Sequence, residues 1–157
     1  MISLETLGFD LKTMMQDWQD ALSACLAERE HIGFYNLPGL MLSELKELKQ
    51  NVKNISEEID TFVLIGIGGS SLGTQAIIHA LKKPTSKKRF FCLDNSDPVL
   101  LEEIWAQVDP KKTIWNVVSK SGGTTETLIN FAIIYERLKA ELAENIKNHI
   151  IYSNLNN

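Results

Sequence analysis

The chain has 157 residues, of which 44% are hydrophobic and 23% charged, and its formal net charge is -4. These values are typical of a globular protein with a sizeable core. No lysine- and arginine-rich run is long enough to indicate nucleic-acid binding, and no apolar run approaches the roughly 18 residues of a membrane span. The N-terminus lacks a basic segment followed by an apolar stretch, so we expect a cytoplasmic protein without a signal peptide.

Two features that often carry function have a structural explanation in this chain. The basic residues from Lys82 to Arg89 are interrupted by Pro84-Thr85-Ser86, and we interpret them as a solvated loop between a helix and a strand. The cysteines, Cys25 and Cys92, lack the C-x-x-C spacing of metal and redox sites. We therefore predict two buried thiols in a reducing compartment, with no metal and no cofactor.

The N-terminal part of the chain shows a helical pattern without strands. From Leu11 to about Glu30, apolar residues recur at i, i+3, i+4 and i+7, which predicts an amphipathic helix. Pro38-Gly39 predicts a turn, and the leucines from Leu42 onward predict a second helix. We expect residues 1–58 to form a helical segment packed on the domain that follows.

Beyond this segment, short apolar runs alternate with helical patterns. The runs predict four strands, at Phe62–Ile65, Phe90–Leu93, Thr113–Val118 and His149–Tyr152. Near-continuous apolar strands in such an alternation indicate a parallel sheet covered by helices on both faces. We predict a doubly wound α/β domain with three αβα layers over residues 59–157. A four-stranded sheet of this kind looks unfinished, so we expect a fifth strand to be missing through truncation.

Two loops of unusual composition follow the first and third predicted strands. If the strand order is 2-1-3-4, these loops flank the point where the order reverses, which is where open parallel sheets bind ligands. The loops, Gly66–Gly73 and Ser119–Thr124, are rich in glycine, serine and threonine, and each leads into a helix. A helix N-terminus offers N–H groups and a positive dipole end to an anion, and Lys120 would add a full charge. Together the loops predict a pocket for one phosphate.

Other interpretations of the first loop fit less well. A dinucleotide-binding G-x-G-x-x-G motif would match Gly66 and Gly68, but Ser71 stands at its third glycine. Nucleotide binding stays open because Asp94 ends the second strand, where an acid would bind the ribose. A Walker A loop is excluded because Thr74 stands where its lysine is required.

The second loop also has a purely structural interpretation. Ser121 or Thr124 could cap the long helix that follows, with Glu126 in its first turn favouring the dipole. Lys120 alone could be a surface charge. The adjacent glycines Gly122-Gly123 exceed what a cap requires, and a capping residue can also face a ligand. Capping and phosphate binding are therefore compatible.

The two loops in this order and spacing resemble those of a known family. The segments Gly66–Gly73 and Ser119–Thr127 are similar to the two phosphate loops of phosphoglucose isomerases. The turn Asp94–Pro98 and the segment Gly33–Pro38 resemble the short bacterial form of the family, so the resemblance covers nearly the whole chain. It implies a sugar isomerase (SIS) domain, which is a flavodoxin-like parallel sheet.

The resemblance also implies which residues bind the substrate and its phosphate. Carried over one by one, these are Gly69, Ser70, Ser119, Lys120, Ser121 and Thr124. Ser121 stands where many relatives have threonine, but it keeps the hydroxyl. Gly122 and Gly123 stand where animal relatives have bulkier residues, which puts only the shape of the loop in doubt.

The activity implied by the resemblance is the interconversion of glucose 6-phosphate and fructose 6-phosphate through a cis-enediol, in glycolysis and gluconeogenesis, by a homodimer. The family's catalytic arginine, glutamate, histidine and lysine lie downstream of the matching segment. We therefore expect no catalytic residue in this chain, which would bind a phosphosugar without converting it. His31, His79 and His149 are expected to be structural or surface groups. Two alternatives stay open, a stand-alone phosphosugar-sensing regulator and an NAD-binding enzyme.

Overall fold

The computed structural model describes residues 10–29, 31 and 33–153 of the chain. Along the sequence it divides into two compact units, with the boundary after Asn54. None of the helices in the described part is long and apolar enough to cross a membrane. The predicted C-terminal end of the first helix, Glu30, lies outside the described residues.

The described part of the first unit contains two α-helices of equal length, joined through a 3-10 turn at Gly33–Tyr35. Helix α1 spans Leu11–Ala27, and α2 spans Leu37–Lys53. The Asp10 side chain accepts a hydrogen bond from the backbone N–H of Lys12, which caps the start of α1. The turn predicted at Pro38-Gly39 is wrong, because both residues lie in the first turn of α2. A proline is tolerated there since the first N–H groups of a helix have no partner within it.

The second unit contains a four-stranded parallel sheet. Its strand order is β2-β1-β3-β4, which meets the condition on which the predicted ligand site depends. The strands are β1 (Thr61–Ile65), β2 (Arg89–Leu93), β3 (Thr113–Val118) and β4 (Ile150–Ser153). Strands β1 and β3 are central, so the loops that follow them lie next to each other at the carboxyl edge.

Three helices accompany the sheet, at Leu72–Leu81 (α3), Pro98–Gln107 (α4) and Thr125–Leu142 (α5). One face of the sheet packs against α4 and α5 in a single apolar cluster. The cluster contains Val63, Ile65, Leu93, Leu101, Ile104, Trp115, Val117, Ile134, Leu138 and Leu142. Trp115 is fully buried, and its ring lies 5.7 Å from that of Trp105, centroid to centroid. This cluster is the core of the unit.

Helix α3 covers the opposite face. Phe62 and Phe90, which alternate with the core residues along β1 and β2, share a cavity of about 300 Å³ with Ile77 and Leu81 of α3. Helices therefore lie on both faces of a parallel sheet, which confirms the predicted doubly wound α/β architecture. The cavity is at the amino ends of these strands, away from the loops that the sequence singles out.

The two cysteines differ in exposure. Every described side chain of α1 is exposed, including Cys25, so the prediction of a buried thiol is wrong for this residue. Cys92 lies on β2 and is half-buried. Its burial and, less strongly, the neighbouring carboxylate of Asp94 raise the pKa of the thiol to about 11. Cys92 is therefore an inert thiol at neutral pH.

Candidate functional site

A cavity of about 680 Å³ opens at the carboxyl ends of the two central strands. It lies where the strand order reverses, the position at which open parallel sheets bind ligands. Its lining consists of Ile67, Gly69, Ser70, Val118, Lys120, Ser121, Thr124 and Ser153. Five of the six residues singled out by the sequence are in this set, and they come from two different loops.

The first loop leaves β1 through a short 3-10 turn, Gly68–Ser70, before α3 begins. Gly68 has φ = 58°, a left-handed conformation that favours glycine. At Gly66 the reason for glycine is space, because an added Cβ would lie 3.0 Å from the carbonyl oxygen of Val118 at the end of β3. These two glycines let the loop turn sharply beside the neighbouring strand, which places Gly69 and Ser70 at the cavity.

The second loop is organised by Ser119. This residue is only 2% exposed, and it does not line the cavity. Its hydroxyl accepts a hydrogen bond from the Gly122 N–H at 3.1 Å and lies 3.2 Å from the Thr124 hydroxyl, with which it shares another. Gly122 has φ = 72°, so the turn that this bond closes favours glycine. Ser119 therefore fixes the position of residues that do reach the cavity.

Thr124 occupies the N-cap position of α5, but its side chain makes no capping hydrogen bond. Its hydroxyl points instead to Ser119 and lines the cavity. Ser121, the other candidate cap, accepts a hydrogen bond from the Gly123 N–H at 3.1 Å within the loop. Thr124 is thus not a side-chain cap of α5, and the positive end of the helix dipole faces the loop.

A buried amide ties α5 to the loop that follows β2. Asn130 is 2% exposed, and its Nδ2 donates a hydrogen bond to the backbone oxygen of Asn95 at 2.7 Å. The same loop is linked to α3 through Gln75, whose Nε2 donates to Asp94 Oδ2 at 3.1 Å. Both helices that start at the cavity are therefore anchored to one loop.

The chemistry available in the cavity suits an anion. Hydroxyls of Ser70, Ser121 and Thr124 can donate hydrogen bonds, and Lys120 adds the positive charge. The lining residues include no carboxylate and no imidazole. His149 lies elsewhere, with Nδ1 2.9 Å from the Thr113 oxygen, which agrees with a structural role. Among the described residues, no group of three His, Cys, Asp or Glu could hold a metal.

Three lining residues were not among the predicted site residues, namely Ile67, Val118 and Ser153. Ile67 and Val118 carry no polar group, so no chemical pattern marks them. Ser153 could have been found, because it ends β4 and pairs with Val118, the last residue of β3. The rule that ligands bind at the carboxyl ends of strands applies to β4 as well.

The fold and the cavity define a class, an α/β domain that presents a cavity lined by hydroxyls and a lysine at the switch point of a parallel sheet. Comparison of the sequence with known families identifies the family within this class. The model of the family "Phosphoglucose isomerase" matches residues 41–157. The chain therefore belongs to the phosphoglucose isomerase family.

Individual relatives agree with this membership. The chain is 33% identical over 135 residues to the glucose-6-phosphate isomerase of Carboxydothermus hydrogenoformans, an alignment that covers 80% of this chain and 29% of the relative. It is 38% identical over 137 residues to the Thermus thermophilus enzyme of the same name, covering 85% of this chain and 32% of the relative. The chain thus spans less than a third of the length of these relatives.

Solved structures show the same relationship. A hypothetical protein from Thermus thermophilus superposes with a TM-score of 0.80 and 34% identity, covering 92% of this chain and 35% of that chain. A glucose-6-phosphate isomerase from Chlamydia trachomatis superposes with a TM-score of 0.64 and 31% identity, covering 71% of this chain and 22% of that chain. The arrangement of sheet and helices is therefore shared with this family.

Proposed function

We propose that this chain is the N-terminal, phosphosugar-binding part of a glucose-6-phosphate isomerase, which interconverts glucose 6-phosphate and fructose 6-phosphate through a cis-enediol. The observation that carries the proposal is the convergence of two loops on one cavity. Gly69 and Ser70 reach it from the loop after β1, and Lys120, Ser121 and Thr124 reach it from the loop after β3. The named relatives quoted above are glucose-6-phosphate isomerases.

In this proposal the phosphate is held between the N-terminal ends of α3 and α5. Backbone N–H groups and hydroxyls supply hydrogen bonds, and Lys120 supplies the opposite charge. Ser119 belongs to the same binding site, because its hydroxyl sets the position of Thr124 and of the Gly122 N–H. Holding the phosphate far from the reacting carbons orients the sugar, so binding energy is used for positioning rather than for proton transfer.

The proton transfer itself is assigned to residues outside this cavity lining, since the lining offers neither a carboxylate nor an imidazole. We propose that none of the catalytic residues is in this chain, and that the chain alone binds the phosphosugar without converting it. The wider proposal includes an SIS domain over residues 59–157, a helical segment over residues 1–58, a cytoplasmic location, and a homodimeric full-length enzyme.

A regulatory function is the second candidate, and a lining without a carboxylate or an imidazole favours it. A phosphosugar sensor needs affinity but no proton transfer. The family match over residues 41–157 favours the isomerase instead. The dinucleotide interpretation loses support because Asp94 bonds Gln75, and Ser71, at the position of the third glycine, is 1% exposed and bonds the Gly68 oxygen.

The test is a binding titration of the chain with glucose 6-phosphate, 6-phosphogluconate, inorganic phosphate and NAD, followed by amide chemical shifts. We expect the phosphosugars to shift the amides of Gly69, Ser70 and residues 119–127, while NAD shifts none of them. Shifts with NAD but not with a phosphosugar would contradict the proposal. No conversion of glucose 6-phosphate is expected in a coupled assay.

Two variants locate the anion within the cavity. Lys120→Gln removes the charge. Thr124→Val removes the hydroxyl and keeps the shape of the side chain. Each is expected to weaken glucose 6-phosphate binding about fivefold or more, since a hydrogen bond contributes about 1 kcal/mol and one to a charged group more. Lys111→Gln, which removes an exposed lysine at the opposite end of the sheet, is the matched control. Equal weakening by Lys111→Gln would show that net charge, rather than this site, determines affinity.

A further inference from the structure

Ser153 is the last residue of β4 and lines the cavity, although it lies on neither of the loops that converge there. It pairs with Val118, the last residue of β3, which lines the cavity beside it. The Ser153 carbonyl accepts a hydrogen bond from the Ser119 N–H at 3.1 Å. Its backbone is therefore fixed relative to the second loop, while its side chain is exposed at the cavity.

The position of Ser153 relative to the predicted phosphate donors is set by the sheet. The donors follow the central strands β1 and β3, whereas Ser153 ends β4, one strand spacing of about 4.8 Å further out. Val118 lies between them and offers only an apolar side chain. A ligand that extends from the donors towards β4 crosses this apolar surface and then meets a hydroxyl.

The size of the cavity allows such a ligand. At about 680 Å³, it falls within the range of sites that enclose whole small molecules rather than a single inorganic ion. The phosphate donors occupy only the part between α3 and α5. The remaining lining towards β4 has Ser153 as its polar residue. A serine hydroxyl can both donate and accept, which matches the hydroxyls of a sugar.

We propose that Ser153 contacts the sugar hydroxyls of a bound phosphosugar, while the residues of the two loops hold its phosphate. This inference rests on the proposed function and adds a residue that contacts the sugar rather than the phosphate. It divides the cavity into an anion end, between α3 and α5, and a hydroxyl end at β4. Ser153 contributes to the preference for a sugar phosphate over free phosphate.

The experiment compares dissociation constants of glucose 6-phosphate and inorganic phosphate, measured by isothermal titration on the whole chain. Ser153→Ala is expected to raise the constant for glucose 6-phosphate about fivefold, the effect of one net hydrogen bond, and to leave that for phosphate unchanged. Ser153→Thr keeps a hydroxyl and should restore affinity. Tyr152→Phe is the matched control, because it removes an exposed hydroxyl from the adjacent position of β4, which does not line the cavity.

Each other outcome contradicts the inference in a distinguishable way. Unchanged glucose 6-phosphate binding by Ser153→Ala would show that the hydroxyl makes no contact. Equal loss for both ligands would assign the effect to the loop, through the bond to Ser119, rather than to the sugar. If the unaltered chain binds phosphate but not glucose 6-phosphate, the proposed function itself fails, and the inference fails with it.

Discussion

Replacing Gly66 by alanine tests how closely β1 and β3 approach at the site. The new Cβ would lie 3.0 Å from the Val118 oxygen, 3.1 Å from the Ser70 Cβ and 3.4 Å from the Ser70 oxygen. Two of these three atoms belong to the backbone and cannot rotate away. Overpacking of this kind costs about 1–3 kcal/mol. Because the loop must move to relieve it, the variant should also bind phosphate more weakly.

The matched control is Gly73→Ala, in the first turn of α3. An added Cβ there meets nothing within 4 Å, and alanine is favoured over glycine in a helix by about 1 kcal/mol. The two variants therefore differ by about 2–4 kcal/mol in the free energy of unfolding. Both add one methyl group to the same glycine-rich segment, so composition is matched.

Urea unfolding followed by tryptophan fluorescence measures this difference. In a Trp18→Phe background the fluorescence comes from Trp105 and Trp115 alone. Both belong to the second unit, so the signal follows the unfolding of that unit. With a slope of about 2 kcal/mol per molar urea, the midpoints of the two variants should be about 1–2 M apart. Coincident midpoints would refute the inference that glycine is required at position 66 for close backbone approach.

Three further predictions concern the surroundings of the site. Asn130→Leu breaks the bond to the Asn95 oxygen and leaves that group without its partner, so unfolding stability should fall by about 1–3 kcal/mol in the same urea assay. Ala143→Gly should raise stability by about 1 kcal/mol, since Ala143 ends α5 with φ = 48°; an unchanged midpoint would contradict this. At pH 8 an alkylating reagent should modify Cys25 well before Cys92. The raised pKa of Cys92, about 11 against 9.0, lowers its thiolate fraction about a hundredfold, and its labelling rate should climb as the pH approaches 11.

Much of the fold follows from two patterns of apolar residues in the sequence, the helical spacing and the short continuous runs of the strands. The continuous apolar runs around Val63 and Trp115 place both strands in the centre of the sheet, and the structure has them there. The glycine-rich loops then identify the edge that holds the cavity. The error at Pro38-Gly39 has a physical cause, because a proline that could end one element can equally begin another.

The details of the site depend on contacts that a sequence pattern does not contain. Ser119 and Ser121 are the same residue type two positions apart, yet one is buried beneath the loop and the other lines the cavity. Which of them faces the cavity is decided by the turn at Gly122, whose N–H donates a hydrogen bond to the Ser119 hydroxyl. Ser153 enters the site only because the register pairs it with Val118.

The hydrogen bond between the Ser119 N–H and the Ser153 carbonyl has a consequence for how the site could be altered. This bond extends the hydrogen bonding between β3 and β4 by one residue into the loop. The backbone at the start of the loop is therefore held by the sheet. The residues that follow, from Lys120 to Gly123, contribute nothing to the apolar cluster beneath the sheet. Lys120 can therefore be exchanged for another residue while the strands keep their pairing, provided that Gly122 keeps its turn. The last hydrogen bond of the ladder therefore marks the point after which the second loop tolerates a change of side chain without a change in strand pairing.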